Sequence, residues 1–250
     1  MANDNRTLAA RFHEYFDIEL ATTPEKQAQV YKIRYRVYCE EFGFLPAEHY
    51  PDGLEKDEYD DFSHNCLITH KLSKMPAACV RLIPAVSEGR TDYPLPYELL
   101  GPDVLDRQFF ERFDVPKETL CEISRLAVDG AFRRRSGEAA TRFGEIDALH
   151  IEDVERRTFG LISVAAFLAS AALGDLYHLT NGFAMMEPFL PRLMERSGIR
   201  FERAGVDIDY HGIRAPYFVQ LGAVLDTMHA DLKEFYQSIH KVIEKQVNNS

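Results

Sequence analysis

The chain has 250 residues, 46% of them hydrophobic and 28% charged, which suits one sizeable core and is ordinary for a globular domain. With 17 Phe and 12 Tyr it is no disordered chain. Its net charge of −11, from 40 acids against 29 bases, excludes general nucleic-acid binding. Cys39, Cys66, Cys79 and Cys121 are scattered, with no CxxC pair, the pattern of reduced thiols in a reducing compartment. The first residues are polar and acidic where a signal peptide is apolar. The longest apolar run, Leu161–Leu173, has 13 residues against the roughly 20 that span a bilayer. The expectation is a cytoplasmic chain with no transmembrane segment.

In chain order, Leu8, Phe12, Tyr15 and Phe16 fall on one helical face. A second helix starts where Thr23 can cap it, Pro24 suits its first turn and Glu25 its positive end. Val30, Ile33 and Val37 form its stripe and Gly43 its stop. Residues 40–61 form a turn-rich acidic loop in which Lys56 is the lone base. Asn65–Leu72 and Ala77–Pro84 read as a hairpin. The Pro-rich stretch 87–118 offers at most a short helix near Asp103–Arg112. Leu120–Val128 is a strand, and the Arg-rich turn 133–137 follows it. Then come a helix from about Val154 to Leu173, a strand at Tyr177–Met185 and a helix at Pro188–Ser197. Strands at Arg200–Ile208 and Tyr217–Leu221 and a charged helix from Leu225 to Val247 complete the chain. A hairpin followed by alternating strands and helices predicts an α+β fold around a mixed central sheet flanked by helices.

Two segments carry chemistry. In Cys121-Glu122-Ile123-Ser124-Arg125-Leu126-Ala127-Val128, two charges lie among apolar strand residues, which is costly unless they are paired. They read either as a structural ion pair or as a catalytic base, Glu122, with an orienting cation, Arg125. Strict alternation puts the two on opposite sheet faces; a bulge between them would bring them together. The following turn, Arg134-x-x-Gly137-x-Ala139, can aim backbone N–H groups at a phosphate with arginines around it.

These segments together resemble the fourth strand and pyrophosphate loop of the GNAT acyltransferases. Upstream, Arg34-Tyr35-Arg36-Val37-Tyr38 with Gly43-Phe44, Glu55-x-Asp57-x-Tyr59-Asp60, Val80-Arg81-Leu82-Ile83-Pro84 and Glu122-x-Ser124-Arg125-Leu126-Ala127-Val128 resemble, in order, the motifs of the acyl-homoserine-lactone synthases. That family has Trp where Phe44 stands and Phe where Tyr38 stands, departures that count against lactone formation and S-adenosylmethionine use in this Trp-free chain and leave a lactone synthase as an alternative, beside a short-chain acyl-CoA-dependent acetyltransferase and a non-catalytic acyl-carrier binding module. Residues 182–198 and Tyr210–Tyr217 resemble the N-acyl amino acid synthases, most of all the acyltransferases of the exosortase/PEP-CTERM sorting system.

The resemblance implies a GNAT (acyl-CoA N-acyltransferase) domain over residues 23–224, between a helical segment at 1–22 and an extra C-terminal helix at 225–250. It implies transfer of a fatty acyl group from an acyl carrier protein or acyl-CoA thioester to the amino group of an amino acid or related amine. No cofactor is held permanently, and the pantetheine thioester is a substrate. Glu122 and Arg125 are the catalytic candidates. Arg34, Tyr38, Phe44, Asp57, Asp60 and Arg81 would shape the acceptor pocket, with Asp57 and Asp60 binding the ammonium or pairing with Arg34 and Arg81. The alternative is that both aspartates belong to a solvated loop. Leu126, Ala127 and Val128 would offer oxyanion N–H groups, and Arg133, Arg134, Arg135 and Gly137 would hold the donor. With Arg142, Arg156 and Arg157 these arginines form a basic island that suits an acidic acyl carrier protein or pairs with nearby acids such as Glu138 and Glu145. No metal site is expected. Asp207, Asp209 and His211 read as a polar edge, and Cys121 as a buried structural thiol rather than a nucleophile.

Overall fold

The computed structural model describes residues 6–88, 93–112, 114–133, 158–196, 198–210 and 212–249. It opens with α1 (Leu8–Tyr15), whose N-terminus the Thr7 side chain caps, and passes straight into β1 (Phe16–Leu20). That strand was not expected. Phe16, Ile18 and Leu20 alternate with Asp17 and Glu19, and a period of two prevails once β1 can pair with β2 (His64–His70). Between them, α2 (Pro24–Tyr35) starts on the expected Thr23 cap. It continues into a π-helical turn at Arg36–Glu41, and Gly43, at φ 62°, supplies the left-handed residue that ends it.

β3 (Pro76–Pro84) completes the predicted hairpin. The Pro-rich stretch contributes α3 (Arg107–Glu111). β4 (Leu120–Val128) has the predicted bounds and is followed by α4 (Gly130–Arg133). Next come α5 (Gly160–Leu176), β5 (Asn181–Met186) and α6 (Phe189–Glu195). β6 (Glu202–Arg203), β7 (Ile208–Asp209), β8 (Ile213–Gln220), α7 (Leu221–Thr227) and α8 (Ala230–Val247) complete the chain.

Three expectations need correction. The strand expected over 200–208 is broken in two around Gly205, where a Cβ would lie 2.3 Å from the Val104 carbonyl oxygen. β8 begins at Ile213, earlier than expected, because pairing with β5 and β7 carries the strand through Pro216. The C-terminal helix is two helices, separated at Met228 and His229.

The sheet runs β1-β2-β3-β4-β5-β8-β6, with β7 also on β8. β4 and β5 are parallel, and the other pairs are antiparallel. Its two faces differ in character. On one, Ile18, Ile68, Val80, Leu82, Cys121 and Ile123 join α1, α5 and α8 in the main core. The middle of α5, from Ala165 to Gly174, is buried without interruption, as expected of a helix apolar on every side. On the other face, α2 covers Leu67, Cys79 and Ala127 at one end. An aromatic cluster with Tyr97, Phe109, Phe183 and Phe218 covers Ile83 and Leu120 at the other. Between these two covers lie the charged side chains of β3 and β4.

Candidate active site

A bulge sets up the site. Along β3 and β4 the register pairs Cys79 with Ala127 and Arg81 with Ser124, so Val80 faces two residues, Arg125 and Leu126. Arg125 takes φ 51° there, a left-handed backbone that costs a non-glycine residue roughly 1–2 kcal/mol. In return its side chain leaves the helix-covered face and joins Glu122, Ser124 and Arg81 on the other.

Three guanidinium groups meet three carboxylates on that face. Arg34 is fully buried; it donates from both terminal nitrogens to Asp60 (2.7 and 3.0 Å) and from Nε to Glu55 (2.5 Å). Arg81, 1% exposed, grips Asp57 through two bonds of 2.5 and 3.1 Å and gives Nε to Ser124 Oγ at 3.0 Å. Arg125 reaches Glu55 at 3.1 Å and Asp57 at 3.3 Å. Paired forks of this kind make burial of several charges tolerable. Burial by itself would raise the Asp60 carboxyl, but Arg34, then Arg81, holds it down at about 2. Glu55 is likewise kept below the usual carboxylate range by Arg34 and Arg125, against its burial. The acidic motif is therefore no solvated loop: Asp60 and Glu55 are buried, and Asp57 alone of the three keeps an exposed fraction, 19% of its side chain.

Glu122 stands apart from this network. It is 3% exposed and accepts the Tyr97 backbone N–H on Oε2 at 2.8 Å. Among the described residues it has no ion-pair partner. Burial pushes its carboxyl up to about 7, and the Tyr97 N–H, Arg81 and Arg125 offset only part of the rise. A carboxyl in that range exchanges protons readily near neutrality.

Glu122 lines a cavity of about 340 Å³ together with Asp57, Arg81 and Arg125. The parallel β4–β5 ladder pairs Leu120, Cys121 and Glu122 with Asn181, Gly182 and Phe183, and ends there. Met185 of β5 and the Ile123–Arg125 stretch of β4 both line the cavity beyond that point. Tyr38 and Phe44 form part of its wall. The Tyr38 hydroxyl donates to the Leu126 carbonyl at 3.0 Å, its ring lies under the Arg125 guanidinium at 5.6 Å, and burial pushes its own pKa up to about 12.

Leu126, Ala127 and Val128 continue β4 past its last pair with β5. The Ala127 side chain packs under α2 and that of Val128 in the main core. Arg133 forms an ion pair with Glu41 and lies over the Phe42 ring at 4.5 Å. Glu41 also accepts the Gly130 N–H at 3.1 Å. One partner of Arg133 is thus an acid of the first motif, Glu41. Arg134, Arg135 and Gly137, and Arg142, Arg156 and Arg157, lie outside the described residues. Cys121 is fully buried on the helix-covered face, donates to the Leu179 carbonyl at 3.7 Å, and has its thiol pushed up by burial; it is a structural thiol. Asp207 pairs with Arg203, Asp209 lies in β7, and His211 is outside the described residues.

Residues 33–142 match the family model of the acetyltransferase (GNAT) domain. The structure of TofI, solved in a ternary complex with an inhibitor and MTA, superposes with a TM-score of 0.54 at 21% identity, over 87% of this chain and 99% of that one. BjaI, a CoA-dependent acyl-homoserine lactone synthase solved with SAM and isopentyl-CoA, gives 0.57 at 16% identity over 90% of each chain. FeeM, an N-acyl amino acid synthase from uncultured soil microbes, gives 0.51 at 11% identity, over 88% of this chain and 97% of that one. No curated protein matches the chain. The fold is that of the GNAT acyltransferases. The domain match and the fold together support an acyltransferase.

On this GNAT fold, four participants had been given no role from sequence. Glu55 bridges Arg34 and Arg125, although its place in the acidic motif already marked it. Ser124 orients Arg81, and its position two residues after Glu122 on one strand was the available signal. Tyr97 acts through its backbone N–H, which no residue type announces. Arg214 lines the cavity from β8, in a stretch where Pro216 obscured the strand.

Proposed function

We propose that the chain is an N-acyltransferase that moves a fatty acyl group from an acyl carrier protein thioester, or from acyl-CoA, to the amino group of an amino acid or related amine. One observation carries this reading. A carboxyl poised near neutrality, Glu122, lines a cavity where the β4–β5 ladder ends. The fold likeness to a lactone synthase and to an N-acyl amino acid synthase supports it.

In the proposed reaction Glu122 takes one proton from the acceptor ammonium, directly or through a water. The neutral amine attacks the thioester carbonyl, and backbone N–H groups at Leu126–Val128 stabilise the oxyanion. Collapse breaks the C–S bond, and the second nitrogen proton goes to the departing thiolate. Arg34, Asp60 and Arg81 act by fixing Asp57 and Arg125 at the acceptor pocket, whose wall Tyr38 and Phe44 complete. Arg133 to Arg135 and Gly137 are assigned to the donor, with the basic island as the docking surface for the carrier protein. The likeness to the exosortase/PEP-CTERM acyltransferases and a cytoplasmic location belong to the same proposal. Among the described residues no helix is long and apolar enough to cross a membrane.

The test is to incubate purified protein with acyl carrier thioesters of several chain lengths and a panel of amines, following free thiol. Amine-dependent thiol release with a long-chain donor is expected. Release with acetyl-CoA alone, or consumption of S-adenosylmethionine with lactone formation, would replace the reading. Tight carrier binding with no turnover would reduce the chain to a binding module.

A further inference from the structure

Three arginines line the cavity: Arg81, Arg125 and Arg214. The first two are neutralised by Glu55, Asp57 and Asp60. Arg214 is not. Its guanidinium lies 5.6 Å from the centre of the Phe44 ring, and among the described residues it has neither an ion pair nor a hydrogen bond. Its Nε is buried without a partner. A guanidinium drawn partly out of water with donors unused is expensive unless something accepts from it.

Its position is set by the sheet. Along β8, Phe218, Pro216 and Arg214 alternate onto one face. Phe218 is the register partner of Phe183, which in turn pairs with Glu122. Arg214 therefore stands on the same face of the sheet as Glu122, two strands away. The cavity thus carries an acid without an ion pair, Glu122, on its β4 side, and on its β8 side a cation, Arg214, each unpaired among the described residues. An amine held at Glu122 with an anionic group directed at Arg214 would complete both. A carboxylate fits best: it carries one charge and accepts two parallel bonds from a guanidinium.

Building on the acyltransferase reading, we infer that Arg214 binds the carboxylate of the acceptor, so that the acceptor is a free amino acid rather than a simple amine. Arg214 then selects the acceptor and takes no part in the chemistry.

The twenty amino acids and their primary amides, which keep the amine and lose the negative charge, form the probe set. Binding is read by saturation-transfer NMR on the full chain, and turnover by thiol release. The wild type should prefer the best free acid over its amide by about tenfold or more, as loss of a charge-assisted pair predicts. Arg214→Gln should bring that ratio close to one, and Arg214→Lys should restore part of it. A thermal unfolding curve for each variant checks that it is folded. Equal binding of acids and amides by the wild type, no binding of either, or a ratio unchanged in Arg214→Gln would overturn the inference. Acid-selective binding that depends on Arg214, without turnover on any donor, would uphold the carboxylate site and remove the acyltransferase reading.

Discussion

Arg81 and Glu122 project from adjacent strands onto one face of the sheet, yet Arg81 gives its guanidinium to Asp57 and Asp60 and leaves Glu122 to a backbone N–H. This separation divides the site into a neutralised scaffold and one carboxyl free to titrate. Had Arg81 paired with Glu122, the carboxyl would be held ionised and would be a poor proton acceptor.

The first prediction concerns pH and rate. With Glu122 as base and its carboxyl at about 7, log kcat/KM should rise about one unit per pH unit below that value and level off above it. Glu122→Gln should lower turnover by about 100-fold or more and abolish that limb. A profile unchanged in the variant would remove Glu122 from the mechanism.

The same carboxyl should leave a mark on stability. Its pKa is raised on folding from 4.5 to about 7, so between those values the native state holds more proton than the unfolded one, and stability falls as pH rises. Glu122→Gln removes that loss. Its melting temperature relative to wild type should therefore be higher at pH 8 than at pH 5, as measured by calorimetry.

Asp60 has the opposite sign. Its pKa is lowered from 3.8 to about 2, so its stabilising contribution is complete above about pH 4 and is lost as pH falls toward 2. Acid unfolding followed by circular dichroism should show a shallower slope over that range in Asp60→Asn.

Removing the buried cation should be costly. Arg34→Met leaves Glu55 and Asp60 buried without their main partner and should cost about 3–5 kcal/mol in urea unfolding. Arg34→Lys should recover only part, because one ammonium cannot reproduce a fork to Asp60 together with an Nε bond to Glu55.

Much of this was legible in the sequence, for physical reasons. β4 and the Thr23-capped helix carry their signals locally, in apolar runs and capping residues. The charged site residues stood out because charges among apolar strand neighbours demand an explanation. β1 was hidden because Phe16 also completes the helical stripe of Leu8, Phe12 and Tyr15, so that the strand's first residue reads as the last of the helix before it. The pairing of Glu41 with Arg133 was out of reach, since the two are joined only when the π-helical turn after α2 is laid beside α4. The Tyr97 N–H was illegible for a different reason: a backbone donor looks the same in every residue.

The bulge opposite Val80 has one more consequence. On either side of it the ladder is regular, with Cys79 against Ala127 and Arg81 against Ser124. Deleting Arg125 would join these two stretches into an uninterrupted ladder and remove the left-handed residue. The shortened chain would have a better sheet and a worse catalyst, because the extra residue serves the cavity at the expense of the fold.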